Sequence, residues 1–417
     1  MRTAKPMLTG YRVLDITQYV AGPTCCRTLA ELGAEVIKVE LAPAGDRIRG
    51  AGFKPLDPAL ADVSQSTYFF QQNHSKKSLA LDFSLPRARE LLRAMVAKVD
   101  VVVEGFTPGV MARAGLSYED LRKINPALIM CSISMAGQSG PLSDKPGYDY
   151  IGSAYAGVSD LLGEPGGAPA HQGTSIGDTL CGMTATAAVL AALLHRERTG
   201  EGQYIDAALI DVYYHTHQNS IPRIALQAGN FVPKRSGRFH PEGGGAAYRY
   251  RDDQWIYLIA PDHRWEGLTR ALNAPEWLDD PRFKTRRDRR INGEALAAAI
   301  EERLSRFPSR AAAVAALEKE RVPVAPILTV NEATAHPHMR QRGTVRRVKD
   351  PYLGEFDIPG MPIKLSAWPP QPDVKAALLG QDNENVLREL LDLPDDEIAS
   401  LYAQGVLVRD PKLGPRG

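Results

Sequence analysis

The sequence predicts an α/β protein, with a large domain built on a mostly parallel sheet and a smaller α+β domain. Three observations carry that prediction. Strand-like apolar runs recur before residue 178 and end in glycine-rich loops, the layout of an open sheet with a ligand crevice along one edge. The first two runs flank a helix within roughly thirty residues, as a βαβ unit does. After about residue 220 the pattern changes to a hairpin followed by helices. At 417 residues the chain is long for a single core. Boundaries between the two domains are expected near residues 220 and 325.

Residues 11–16 read as a buried strand, Ala21-Gly22-Pro23 as a short turn, and 24–32 as a helix. Gly33 suits a helix C-cap, and 34–40 form the second strand. Its terminal Glu40 suits a dinucleotide ribose, yet the first turn lacks GxGxxG and Pro23 removes an N–H, which argues against nicotinamide or flavin. A loop-rich stretch containing Tyr68-Phe69-Phe70 leads to Lys76 and Lys77, which either meet an anion or sit in a solvated turn, and then to a strand at 79–82. A helix at 86–97 precedes the strand Val101–Glu104 and the irregular loop Gly105-Phe106-Thr107-Pro108-Gly109, with Arg113 just beyond. The strand at 128–134 runs into a loop ending at Gly147-Tyr148-Asp149-Tyr150. Farther on, a strand at 203–208 is followed by a helix passing Tyr213 and Tyr214. Glu242-Gly243-Gly244-Gly245-Ala246 reads equally as a lid over a site or a hairpin loop. Strands at 247–251 and 254–260 form a hairpin, helices follow at 264–272, 293–306 and 309–320, and sheet returns at 323–328, 344–348 and 355–358. Two helices, 384–391 and 395–404, close the chain before a tail expected to be loose.

Composition excludes several classes. With 50 Lys plus Arg against 49 Asp plus Glu, no net field draws in nucleic acid or an anionic membrane. The N-terminus lacks the apolar segment of a signal peptide, and no uncharged apolar run is read as long enough to span a bilayer, so a cytoplasmic protein without a membrane partner is expected. Four cysteines, Cys25, Cys26, Cys131 and Cys181, are too few and too irregular for a disulfide framework or a zinc site. The pairs His215/His217 and His336/His338 would point to different faces of a helix, and no metal site is expected.

The stretch Gly173-Thr174-Ser175-Ile176-Gly177-Asp178 opens a long helix rich in Ala and Leu that runs to about Arg198. Basic residues in its last turn and Gly200 beyond suit the C-terminal end. Asp178 has two readings that the residues leave open. It is an N-cap accepting a hydrogen bond from the first turn, or a carboxylate kept ionised by the helix N-terminus where a substrate approaches. Cys181 shares its face and reads as buried filler, since no base accompanies it.

These motifs, in this order and spacing, resemble those of the class III CoA-transferase family (CaiB/BaiF type), the group of formyl-CoA transferase, carnitine CoA-transferase and the α-methylacyl-CoA racemases. The resembling segments are Arg12-Val13-Leu14-Asp15, Ala21-Gly22-Pro23, residues 32–40, 77–82 and 104–109, Gly147-Tyr148-Asp149, Gly177-Asp178, residues 198–203 and Leu378-Leu379-Gly380-Gln381-Asp382. They span nearly the whole chain and are weakest between 219 and 254. The resemblance implies a homodimer interlocked like links, each chain with a large Rossmann-like domain built from both chain ends (1–220 and 326–417) and a small α+β domain between them (221–325), with coenzyme A as substrate and no prosthetic group. It also implies an aspartate nucleophile at Asp178, which takes the acyl group of an acyl-CoA as a mixed anhydride and then CoA as a thioester, before a carboxylic acid acceptor reverses the sequence.

The family's positions for adenine and pyrophosphate match Val20, Ala21, Leu41, Leu81, Gly105, Phe106 and Arg113, with Tyr148 and Asp149 beside them. Val20, Leu41 and Gly105 depart from the glutamine, arginine and asparagine of formyl-CoA transferase, which argues against formyl or oxalate specificity and leaves phosphate contacts to Lys76, Arg47 or Arg49. Arg223, Arg235, Arg238 and His240 either pair the second carboxylate of a dicarboxylic substrate or, the preferred reading for each, are solvated surface charges. Succinyl-CoA is the expected donor. The racemase branch carries Gly-His-Asp where this chain has Gly147-Tyr148-Asp149, and tyrosine, with an unperturbed pKa of about 10, is a poor base near neutrality. Transfer is therefore preferred to racemisation, and a non-catalytic CoA-binding protein is the third reading.

Overall fold

The computed structural model describes residues 5–54, 60, 62–217, 219–227, 230–241, 244–368 and 373–414. The chain divides into two compact units. The first comprises Met1–Val158, Gln172–Ile221 and Arg340–Gly417, and the second Ser159–His171 and Pro222–Met339.

Along the first unit run β1 (Arg12–Ile16), α1 (Ala21–Glu31), β2 (Glu35–Leu41), α2 (Thr67–Asn73), β3 (Lys77–Leu81), α3 (Pro86–Val96) and β4 (Val101–Glu104). Then come α4 (Val110–Arg113), α5 (Tyr118–Leu121), β5 (Ile129–Ser134), α6 (Asp149–Tyr155), α7 (Ile176–Thr199), β6 (Gln203–Ala208) and α8 (Leu209–His215). The six strands form one parallel sheet in the order β3-β2-β1-β4-β5-β6, so the order reverses between β1 and β4. Such strands are covered on both faces, which is why Val101-Val102-Val103 can be apolar without alternation.

Alternate residues nevertheless enter two separate cores. Leu14, Ile37, Val102 and Met130 face a layer holding Leu91, Leu92 and Met95 of α3. Val13, Val36, Val101, Val103 and Ile129 face Cys25, Cys26 and Leu29 of α1 and Cys181, Ala185 and Val189 of α7.

The second unit follows α9 (Ser220–Leu226) with β7 (Gly245–Arg251), β8 (Gln254–Ile259), α10 (Asp262–Ala271), α11 (Arg286–Ile291), α12 (Gly293–Ser305), α13 (Arg310–Lys319), β9 (Val324–Ile327), α14 (Val330–Ala335) and α15 (Pro337–Gln341). The three strands form an antiparallel sheet over a core of Tyr248, Ile256, Leu258, Trp265, Leu268, Trp277, Phe283 and Ile300. The chain rejoins the first unit at Arg340 rather than at 326, because β9 pairs with the edge of β8, Ile256 opposite Pro326. There β10 (Val345–Asp350) and β11 (Gly354–Pro359) make a hairpin before α16 (Asn383–Leu391) and α17 (Asp395–Ala403). Val386, Leu387, Leu390, Ile398 and Leu401 of these last helices complete the first core, which ties the C-terminus to the sheet.

Four local expectations change. Ala21-Gly22-Pro23 is the first turn of α1 and not a separate turn; proline is tolerated there because a first-turn N–H has no partner inside the helix. The loop-rich stretch contains α2, whose N-cap Ser66 accepts from the Phe69 N–H at 3.1 Å. At 24 residues α7 is long and apolar enough to cross a bilayer by length and composition, contrary to the expectation that no run is; here it packs on α1, β5, β6 and α8. The tail after Arg409 is tied down at its start, since the buried Asp410 accepts from the Ser64 N–H at 2.6 Å and the Lys412 N–H at 2.8 Å.

Candidate active site

The strand order reverses between β1 and β4, and the crevice outside the carboxyl ends of the strands at such a reversal is the usual ligand position in sheets of this kind. Val20 caps α1 directly after β1, Ala21 begins that helix, and Gly105 and Phe106 follow β4. A Cβ on Gly105 would lie 3.7 Å from Thr17 Cβ, so the loops after β1 and β4 adjoin. Leu41 ends β2 on the same edge, and Arg113 is exposed on α4. Leu81 differs from its neighbours. Its side chain is fully buried in the core and its carbonyl accepts the Ala42 N–H at 2.9 Å, so it presents no side chain to the crevice.

The same edge hides a charged cluster that holds these loops. Lys76 bonds the Asp15 carboxylate at 2.7 Å, the Asn73 carboxamide oxygen at 2.9 Å and the Pro23 carbonyl at 3.1 Å. Lys38 reaches Asp46 at 3.0 Å and the Thr17 carbonyl at 2.9 Å. Burial alone would raise the Asp15 pKa, but Lys38 and Lys76 hold it down at about 2. Arg49 makes a two-pronged bond to Glu40, 2.7 Å on each side, and all four partners of these two central pairs are buried. Lys76 and Arg49 are therefore spent internally and are not phosphate ligands, and Glu40 is not a free ribose acceptor. Arg47, next to Arg49, is exposed and lies near Tyr19.

At the opening of α7 the structure departs from both readings of Asp178. The N-cap is Ser175, which makes no side-chain cap bond, and Asp178 sits inside the first turn. The capping carboxylate comes from elsewhere. Asp149, at the start of α6 and 2 % exposed, accepts from the Tyr213 hydroxyl at 2.6 Å, and the backbone N–H groups of Gly177 and Asp178 face it and favour its ionised form. The Tyr213 hydroxyl in turn accepts from the Gly177 N–H at 3.1 Å and from Gln172. With these N–H groups turned to the Tyr213 hydroxyl and Asp149, Asp178 is not kept ionised by them. Burial first, and then the Asp149 charge, push its pKa up from the ordinary 3.8 to about 7.

One aromatic side chain, Tyr68, lies near this carboxylate. The Tyr68 pKa is raised by burial and then by the Asp178 charge, with Tyr150 also near. Tyr148, 65 % exposed, meets Tyr19 edge to face with ring centroids 5.6 Å apart. Tyr19 holds a left-handed φ of 66°, a conformation that a bulky residue adopts only under constraint from its surroundings. Tyr19, Tyr68, Gln172 and Tyr213 were not singled out from the sequence as site residues; they are scattered through the chain and only the tertiary fold assembles them. Cys181 is buried, and burial followed by the Asp178 charge takes its thiol up to about 12, which makes it inert filler.

In the second unit, Arg235 bonds Asp160 at 2.8 Å and Arg238 bonds Glu301 at 2.5 Å and Glu294 at 3.2 Å, so both are engaged within that unit. The Arg223 guanidinium lies over the Phe231 ring, 3.7 Å from its centre. Of the glycine run read as lid or hairpin, Glu242 and Gly243 lie outside the described residues, and Gly245 starts β7.

Gly177 is the tightest point of the network. A Cβ there would stand 2.1 Å from Tyr213 Cε2 and 2.3 Å from Asp149 Oδ1. Gly177→Ala is expected to lower stability by about 3 kcal/mol and to cut activity by about 100-fold, because the start of α7 must move to clear the methyl group. Thermal melts alongside a CoA-transfer assay check both.

Residues 8–383 match the family described as CoA-transferase family III. The succinyl-CoA:glutarate CoA-transferase of Mus musculus is 31% identical over 96% of this chain and 90% of its own length. The formyl-CoA:oxalate CoA-transferase of Bradyrhizobium diazoefficiens is 32% identical over 97% of this chain and 98% of its own. A CAIB/BAIF family protein from Brucella suis superposes with a TM-score of 0.79 at 34% identity, covering 93% of this chain and 100% of that one. This chain belongs to the CoA-transferase family III and is a CoA-transferase.

Proposed function

We propose that the enzyme moves CoA from succinyl-CoA to a dicarboxylic acid through covalent intermediates on Asp178. One observation carries this reading: a partly buried carboxylate in the first turn of α7, raised to about 7, at the crevice edge of the parallel sheet. A carboxylate held so far above its ordinary range is a stronger nucleophile once ionised than a solvated one. Its oxygen attacks the thioester carbonyl and expels CoA thiolate, giving a mixed anhydride. The thiolate then attacks the aspartyl carbonyl and releases succinate, leaving an aspartyl-CoA thioester. The acceptor carboxylate attacks that carbonyl and frees the thiolate, which takes the acceptor's acyl group and restores Asp178. No electrons are transferred, and the cycle needs no prosthetic group.

The relatives named for succinyl-CoA and for glutarate or oxalate support the donor and a dicarboxylic acceptor. Exposed Arg47 and Arg113 are the cations we assign to the CoA phosphates. A homodimer is part of the same reading, supported by exposed Ile151 and Tyr155 on α6 and Tyr214 on the adjoining α8.

Incubation with succinyl-CoA followed by hydroxylamine should leave a hydroxamate on Asp178, seen by peptide mass spectrometry; an unmodified Asp178 in protein that turns over would overturn the reading. The pH dependence is a second test. Because the ionised form attacks, kcat/KM is expected to rise tenfold per pH unit below about pH 7 and to level off above it, read from initial rates at subsaturating donor.

A further inference from the structure

The second unit contains a cavity of about 540 Å³, within the range of small-molecule sites. The β7–β8 hairpin, α10, α11 and α12 contribute its walls. Its lining is two-sided in character. Trp265, Leu268 and Ile300 supply an apolar wall, while Arg286, Arg289 and Arg290 line the cavity from α11, where spacings of three and four residues put them on one helix face.

The charges do not cancel. Asp262, another lining residue, is bonded to Arg289, and Glu294 is bonded to Arg238 at 3.2 Å. Arg289 is fixed further by a 2.9 Å bond to the Phe283 carbonyl and lies over the Trp265 ring, 4.4 Å from its centre. Arg290 is exposed and has no ion-pair or hydrogen-bond partner among the described residues. Further polar groups await partners. Tyr248 is 6 % exposed and lines the cavity with no hydrogen bond from its hydroxyl among the described residues, and the buried Trp265 indole N–H on the same lining has no partner among them either, where buried polar groups ordinarily have one.

We propose that this cavity binds an amphipathic organic carboxylate, with the apolar body against Trp265, Leu268 and Ile300 and the head group between Tyr248 and the arginines of α11. The size suits a body of several carbons. A surplus guanidinium and an unpaired phenol are complementary to a carboxylate, and the apolar wall disfavours a small hydrated anion. The proposal does not depend on the chemistry at Asp178.

Titration calorimetry with octanoate tests it, using full-length protein carrying Asp178→Asn so that turnover contributes no heat. Saturable binding is expected, with neither octanol nor inorganic phosphate binding, since each lacks one half of the ligand. Arg290→Glu, a surface change that leaves the core intact, should weaken octanoate by about tenfold. Tyr248→Phe should weaken it less and leave the melting temperature in place. Absence of saturable octanoate binding at millimolar concentration would overturn the proposal, as would unchanged affinity in Arg290→Glu or equally tight binding of phosphate. None of these results bears on whether Asp178 is the nucleophile, which the hydroxylamine trap decides.

Discussion

Asp178→Asn is expected to abolish CoA transfer and, above pH 7, to make the protein more stable. The loss of activity should be on the order of 10⁴-fold or more, because an amide cannot form the anhydride and no neighbouring group replaces it. The gain in stability follows from the direction of the pKa shift. The folded-state pKa of about 7 exceeds the ordinary 3.8, so in the unfolded chain Asp178 ionises first. Its contribution to stability is greatest below pH 3.8, declines as pH rises toward 7, and above 7 leaves the full penalty of a partly buried anion facing Asp149. A shift from 3.8 to 7 corresponds to about 4 kcal/mol, and the partial exposure of the carboxylate screens this to about 2 kcal/mol. Thermal melts of wild type and variant should coincide near pH 4 and separate by pH 8, the variant melting higher. Equal melting temperatures at pH 8 would remove the charge penalty from the argument; full transfer activity in the variant would remove the nucleophile.

The sheet was legible in the sequence because its strands are buried on both faces. Val101-Val102-Val103 and Ile129-Met130-Cys131 stand out as apolar runs between turn signals, and α7 stands out by its Ala and Leu content. The family was legible too, from short motifs at strand ends whose order survives where overall identity is low. What escaped the sequence was the pairing of charges. Lys76 and Arg49 look like phosphate ligands in a linear chain, and only folding brings Asp15 and Glu40 against them. The buried charges thereby become braces for the loops after β1 and β2, and the exposed Arg47 remains for a ligand. The N-cap reading of Asp178 fails for the same reason. A carboxylate at a helix start resembles a cap when only local residues are considered, whereas the N–H groups here face Asp149, 29 positions earlier by the difference of the two residue numbers.

That division of labour between the two aspartates is itself testable, and Asp149 carries the second large effect. Burial raises the Asp149 pKa more than its bonds from Tyr213, Asp178 and Gly177 lower it, so the ionised form is not what holds the fold. Asp149→Asn keeps the shape and an acceptor oxygen and is expected to change stability by less than about 1 kcal/mol. Removing its charge also removes the second of the two causes of the raised Asp178 pKa, so the acid limb of kcat/KM should move to lower pH while the plateau persists. Asp149→Ala is different, because it strands the Tyr213 hydroxyl and removes the carboxylate facing the Asp178 N–H at the start of α7. A loss of about 3 kcal/mol and a fall in activity of about 100-fold are expected, seen in melts and initial rates. A purely structural Asp149 would lower stability in both variants and leave the acid limb where it is. A positioning and charge-setting Asp149 moves the limb in Asp149→Asn without moving the melt, and that separation of readouts assigns one aspartate to holding the helix and the other to attacking the thioester.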